Sequence, residues 1–199
     1  MKIIEVGTGS TSIPAKIGAA TEIVAEELTK AFLHTDNDVI LIDIADSKRS
    51  NNSLPITEVK IPAFLESTDV QLGITHKLKR VIYSLALTKK LKKIIKESKN
   101  ELLIHFHNQY NLYFFLKLTG RNLKRKVKIA YTVHSYIWAE EWNKICKTVH
   151  KRYFQEICCV QNADYVLVLN DKTAEHFTQH LGIHKEKIFK VANGVNADT

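Results

Sequence analysis

The sequence predicts an α/β domain: a doubly wound, mostly parallel sheet with helices on both faces. Two observations carry this. Short apolar runs such as Asp38–Ile44 (DVILIDI) recur along the chain, and most are separated by segments whose apolar residues fall at three- and four-residue spacing. The first run, Lys2–Val6, leads into a Gly/Ser/Thr loop, and residues 17–33 follow as a helix with Ala20, Ile23, Val24, Leu28 and Phe32 on one side. Residues 56–61, between two prolines, read as a short strand, whereas 63–75 show no clear period. Residues 77–99 form a long amphipathic helix with Leu78, Val81, Ile82, Leu85, Leu91 and Ile95 as its apolar side. Strands at 101–107, 127–133, 165–169 and 187–192 alternate with helices at 110–118, 145–162 and 172–181, the last stopped by Gly182. About seven strands separated in this way define a parallel sheet.

Composition narrows the class. The 199 residues are 45% apolar with three cysteines, two of them adjacent. A disordered chain and a disulfide scaffold are both excluded, and a reducing, cytoplasmic setting is expected. No apolar stretch reaches membrane-spanning length, and the start of the chain is no signal peptide. The net charge of +8 is concentrated: residues 77–99 hold eight Lys and one Arg against Glu97 alone, and a shorter basic run covers Arg121 to Lys128. Such runs are solvated faces, or contacts with an anionic partner.

Ligands of such sheets sit at the carboxyl ends of the strands. Gly7, Gly9 and Ser12 approximate a dinucleotide fingerprint, and Asp43 ends the second strand where a ribose-binding acid would lie. However, 34 residues separate Gly9 from Asp43, against roughly 20 in the usual motif. Gly18 and Ala19 open the first helix, where small residues let a phosphate approach unpaired N–H groups. His105 and His107 share one side of a strand and His134 ends the next. Three imidazoles suit a metal, but no acid or cysteine at ligand spacing accompanies them, so no metal is expected. Polar side chains of a cleft, or satisfied structural histidines, are the alternatives. Tyr136, Trp138, Glu140, Glu141 and Trp142 combine rings with carboxylates, which suits a polyhydroxylated ligand as well as lid packing.

The order of these features is more specific than any one of them. A β–Gly loop–α–β start is followed by Ile104-His105-Phe106-His107, then Tyr131-Thr132-Val133-His134. Asn162-Ala163-Asp164-Tyr165-Val166-Leu167-Val168-Leu169-Asn170 and Val191-Ala192-Asn193-Gly194-Val195-Asn196 come after. This order resembles the amino-terminal domain of retaining glycosyltransferases of the two-domain GT-B fold, family 4 or "group 1". The resemblance covers essentially the whole chain, although Ala19 stands where the family usually has a second Gly.

The resemblance implies a Rossmann-like acceptor-side domain over residues 1–199, with the donor-binding carboxy-terminal domain lying outside the chain. The expected partners are a nucleotide-sugar donor and a hydroxyl acceptor, either lipid-linked or a saccharide, with no cofactor and no metal. Gly18 and Ala19 correspond to the donor-diphosphate loop and His134 to a catalytic histidine near the transferred sugar. His107, Trp138 and Glu141 are the acceptor-side candidates. Residues 193–195 correspond to the exit to the second domain, without which the chain is expected to be inactive. Lys89, Lys90, Lys92, Lys93 and Lys96 are the candidate membrane surface, for peripheral attachment at the inner face. Two other classes stay open: an NAD(P)-binding oxidoreductase domain using Gly7, Gly9 and Asp43, and a non-catalytic module for membrane or nucleic acid. Sparse aromatics in the basic helix argue against nucleic acid.

Overall fold

The architecture is that of a computed structural model, which describes residues 1–14, 19–49, 53–65, 74–134 and 146–192. The strands are β1 (Lys2–Val6), β2 (Asp38–Ile44), β3 (Ile56–Val59), β4 (Leu102–Phe106), β5 (Val127–Val133), β6 (Tyr165–Val168) and β7 (Ile188–Lys190). They form one sheet in the order β3-β2-β1-β4-β5-β6-β7, parallel throughout. The order reverses between β1 and β4, which makes that the topological switch point. Val6 lies opposite both Ile42 and Phe106, and Phe106 opposite Tyr131, so the carboxyl ends of the central strands finish nearly level.

The described α-helices are α1 (Ala20–Leu33), α2 (Ile74–Glu97), α3 (Gln109–Leu118), α4 (Arg121–Lys124), α5 (Cys146–Asn162) and α6 (Asp171–Leu181). Asn108 caps α3 by accepting from the Tyr110 N–H, and Asn170 caps α6 through the Thr173 N–H. Gly182, at φ +65°, closes α6 in the left-handed conformation that the sequence expects of it. The short helix α4 falls in what the sequence shows only as a basic run, and 63–65 form a single 3₁₀ turn. Gly18, Trp138, Glu141 and the exit segment 193–195 lie outside the described residues.

Strand alternation divides the core in two. Ile4, Val6, Ile104 and Phe106 face α2 and α3 and join Tyr83, Leu87, Leu91, Leu112 and Phe115 in one cluster. On the other face, Leu41 packs with Ile13, Leu54 and Ala25 of α1.

The apolar side expected of the long helix is only partly the buried one. Tyr83, Leu87, Leu91 and Ile95, at steps of four, are essentially inaccessible, and burying each such side chain contributes about 1.5–3 kcal/mol. Leu78, Val81 and Leu85 are exposed instead. Two polar residues take the inward positions: Ser84 donates to Asn111 Oδ1 at 2.8 Å, and Thr88 donates to the Ser84 carbonyl at 2.7 Å. Each has its hydrogen bond, so burial costs little and the face rotates toward α3. Among the described residues no helix is long and apolar enough to cross a membrane.

Candidate functional site

The site is built on the switch point. β1 runs out at Val6 into Gly7–Ser12, and the Gly7 N–H continues the ladder by donating to the Ile42 carbonyl at 2.8 Å. Two glycines are needed for close approach. A Cβ on Gly7 would lie 2.6 Å from Asp43 Oδ1, and one on Gly9, at φ +77°, would lie 2.2 Å from the Tyr83 ring. The loop is held through its carbonyls. Tyr83 OH donates to Gly7 O (3.3 Å), Asn111 Nδ2 to Gly7 O and Thr8 O (3.2 and 3.1 Å), and Lys79 Nζ to Ser10 O (2.9 Å). Thr8 donates its hydroxyl to the Glu22 carboxylate and so ties the loop to the first turn of α1.

Ala19 is buried at the entry to α1 and its carbonyl accepts from Ile23 N. Ala19, at the N-cap, makes no side-chain cap hydrogen bond, and the first N–H groups of a helix are the kind that receive anions. The Glu22 carboxyl, 4% exposed, also lies in this first turn and is engaged by the Thr8 hydroxyl. Lys79 supplies a positive charge nearby. Burial lowers its pKa, while Asp43 and Glu22 act to raise it. Lys79 therefore does not belong to the solvated basic face that the sequence suggests.

Asp43 has a structural task. Its Oδ2 accepts from Ile13 N at 2.7 Å and from Arg49 at 3.0 Å, and its side chain is fully buried. Burial pushes its pKa up to about 6 despite Ile13 and Arg49, which act the other way. A carboxylate so enclosed is not placed to receive a ribose, which weakens the dinucleotide reading.

Next to the loop lies a polar chain inside the sheet. Glu5, alone among apolar neighbours on β1, is wholly buried. Its Oε1 lies 3.0 Å from His105 Nδ1 and its Oε2 lies 2.8 Å from His107 Nε2. His105 Nε2 meets Thr132 Oγ1 at 2.7 Å, and His107 Nδ1 meets His134 Nε2 at 3.0 Å. The sequence expects no acid beside these histidines. The fold corrects this, because parallel pairing sets Glu5 directly opposite His105 across one hundred residues of chain.

The electrostatics follow from the contacts. Burial alone would raise the Glu5 pKa, but His105 and His107 outweigh it and bring it down to about 2. His107 is lowered by burial first and by His105 next. His134 falls to about 3, through burial and then its two histidine neighbours. At neutral pH this is an ionised carboxylate with neutral His107 and His134.

The donor atoms of Glu5, His105 and His107 lie within 4.8 Å of one another, so these three residues form a two-imidazole, one-carboxylate set. The same atoms already satisfy one another by hydrogen bonding.

Of the expected site residues, the structure brings His107 and His134 together at the carboxyl edge beside Gly7. His107 is 5% exposed with both nitrogens engaged, so it supports His134 and is not placed to touch an acceptor. Glu5, Thr132, Tyr83, Asn111 and Lys79 are the members that motif reading does not single out.

The lysines of α2 lie elsewhere. Lys89, Lys93 and Lys96 are exposed, Lys90 and Lys92 half-buried. Lys89, Lys92, Lys93 and Lys96 border a groove with Leu85 and Leu118, whereas Lys90 turns to a second groove shared with Lys2 and Asp38. Four of the five thus make one patch.

The family model for Glycosyltransferase Family 4 matches residues 21–199, and the chain belongs to that family. Two solved structures share the fold. A glycosyltransferase from Rickettsia africae ESF-5 is 18% identical over 99% of this chain with a TM-score of 0.50. A sucrose-phosphate synthase from Thermosynechococcus elongatus is 13% identical over 98% with a TM-score of 0.64. The chain spans 44% and 48% of the lengths of these two proteins. None of the curated proteins matches it. The fold is the Rossmann-like α/β fold expected of an amino-terminal GT-B-type domain.

Proposed function

We propose that this chain is the acceptor-side domain of a retaining glycosyltransferase that moves a sugar from a nucleotide-sugar to a hydroxyl acceptor, lipid-linked or saccharide. The observation that carries the reading is His134, held by His107 at the carboxyl edge of the sheet, beside the Gly7–Ser12 loop at the switch point. In this reading His134 hydrogen-bonds a hydroxyl of the transferred sugar or of the acceptor as the glycosidic bond breaks. Gly18 and Ala19 let the donor diphosphate approach the first turn of α1, where oriented N–H groups stabilise the charge that develops on the leaving group. A second, donor-binding domain supplies the rest of the diphosphate site, and closure of the two excludes water as a competing acceptor. Trp138 and Glu141 contribute a stacking face and a hydroxyl acceptor on the acceptor side.

The α2 patch of Lys89, Lys92, Lys93 and Lys96 adsorbs the protein to anionic lipid at the cytoplasmic face, which would bring a lipid-linked acceptor to hand. Each lysine near such a surface contributes about 1 kcal/mol at low salt.

The test is turnover of a labelled nucleotide-sugar panel by the protein carrying both domains, wild type against His134→Ala. A loss of at least ~10²-fold in kcat is expected for a positioned hydrogen-bonding group. Near-normal turnover by a folded variant removes His134 from the mechanism.

A further inference from the structure

We propose that Glu5 is a positioning residue for His134, acting through His107. Its carboxylate dictates which nitrogen of each buried imidazole carries the proton, and so which nitrogen His134 presents as an acceptor. The inference rests on the catalytic role given to His134 above, although the proton arrangement itself is independent of that role.

The arrangement follows by elimination. An ionised carboxylate only accepts, so both imidazole nitrogens facing Glu5 must carry hydrogen: Nδ1 of His105 at 3.0 Å and Nε2 of His107 at 2.8 Å. The other nitrogen of His105, Nε2, lies 2.7 Å from the Thr132 hydroxyl, which can rotate to donate to it. With His107 neutral, its Nδ1 is bare, and the nitrogen 3.0 Å away, Nε2 of His134, must be the donor. That leaves the lone pair of His134 on Nδ1. A neutral imidazole with a bare nitrogen accepts a hydroxyl proton, whereas the opposite tautomer only donates from that position.

Burial supports the chain physically. Glu5 is 0% exposed, His105 4% and His107 5%, so water is not at hand to substitute for a missing partner, and each wrong proton leaves a buried atom unsatisfied. The depressed pKa values of Glu5, His107 and His134 agree with one ionised acid followed by neutral rings. A carboxylate behind an imidazole fixes tautomer and orientation in the same way in hydrolytic triads. Here one carboxylate serves two rings, and the second ring passes the constraint on.

The effect of changing Glu5 can be worked out atom by atom. In Glu5→Gln, one amide oxygen accepts from one ring and the amide NH₂ donates to the other. Turning His105 is the easier choice, because the Thr132 hydroxyl rotates from donor to acceptor. Turning His107 would force His134 to turn too. The substituted amide therefore keeps its oxygen toward His107, and His134 is preserved. In Glu5→Leu no acceptor remains, and His107 loses the contact that sets its proton.

The experiment is imidazole nitrogen-15 NMR of the labelled protein at pH 7 without substrate, with rings assigned by loss of signal in His107→Asn and His134→Gln. Wild type is expected to show a hydrogen on Nδ1 of His105, and neutral rings with Nε2–H for His107 and for His134. Glu5→Gln is expected to convert His105 alone to Nε2–H. An Nδ1–H form of His134, or a doubly protonated His107, overturns the proposal, as does an unchanged His105 in Glu5→Gln. With both domains present, Glu5→Leu should lower kcat about 10-fold or more with KM moved less, and Glu5→Gln should recover most of that loss. Equal activity of the Leu and Gln variants refutes the positioning role. If Glu5→Leu does not fold, the tautomers in wild type and Glu5→Gln still decide the proton arrangement. Full activity of His134→Ala would instead end the glycosyl-transfer reading of His134 and leave the tautomers standing.

Discussion

Gly9→Ala is the most direct structural perturbation of the site. Gly9 has φ +77°, and an added Cβ would stand 2.2 Å from Cδ1 and 2.3 Å from Cε1 of Tyr83. Two costs follow. An L-residue held in the left-handed region loses about 1–2 kcal/mol. Forcing a methyl group into a packed core adds about 1–3 kcal/mol, and Tyr83, fully buried against Leu87 and Phe106, has little room to yield. Reduced freedom of the unfolded chain returns about 0.4–1 kcal/mol. The net expectation is about 1–4.5 kcal/mol of destabilisation, set against the roughly 5–15 kcal/mol typical of a domain. In urea, at a slope of about 2 kcal/mol per molar, the midpoint followed by circular dichroism should fall by about 0.5–2 M. The double variant with Tyr83→Ala separates the two costs. The clash disappears while the backbone strain persists, so the pair should couple by about 1–3 kcal/mol. A midpoint shift below about 0.3 M, or additive effects in the double variant, would refute the contact between Gly9 and Tyr83.

Three further outcomes are expected. Since the Glu5 pKa is about 2 against an ordinary 4.5, its contribution to stability is complete above pH 4.5 and lost as pH falls toward 2; His134, at about 3 against 6.5, loses its share between 6.5 and 3. Asp43, raised from 3.8 to about 6, works in the opposite sense, its share being lost as pH rises through that range. Urea midpoints from pH 7 to about 2.5 should therefore fall most steeply below 4.5, and a flat acid limb would contradict the Glu5–histidine contacts. Replacing Lys89, Lys90, Lys92, Lys93 and Lys96 by Gln should abolish sedimentation with phosphatidylserine vesicles, and wild-type binding should weaken between low and physiological salt. A wild type that ignores such vesicles at low salt would reduce the patch to a solvated face. Turnover should persist in EDTA, because the described acids at the site, Glu5, Glu22 and Asp43, are all bound to protein partners; complete inhibition restored by a divalent cation would refute this.

Much of the fold was legible in the sequence. A run such as DVILIDI buries on both faces and admits few readings other than a central parallel strand, and Gly182 after an amphipathic segment marks a helix end. The face of α2 was not legible, since Ser84 and Thr88 look like surface residues until Asn111 and the Ser84 carbonyl supply their partners. Half of the polar chain was legible too: His107 and His134 end adjacent strands. Glu5 was missed because its partners lie a hundred positions away, and local spacing carries no trace of parallel pairing. One signal was available. A single acid in the middle of a buried strand needs a charged or hydrogen-bonding partner, and the two histidines facing one way on β4 were the available ones.

The central claim is that the carboxyl edge of this sheet receives a nucleotide-sugar. It is tested most directly by titrating the labelled protein with UDP-glucose, UDP-N-acetylglucosamine and GDP-mannose and following amide and imidazole shifts. At least one of the three should move the N–H groups of Gly7–Ser10 and of Ala20–Glu22 together with the His134 ring, in a saturable manner. Shifts confined to Arg121–Lys128 and the lysines of α2, growing without saturation and vanishing in salt, would contradict it.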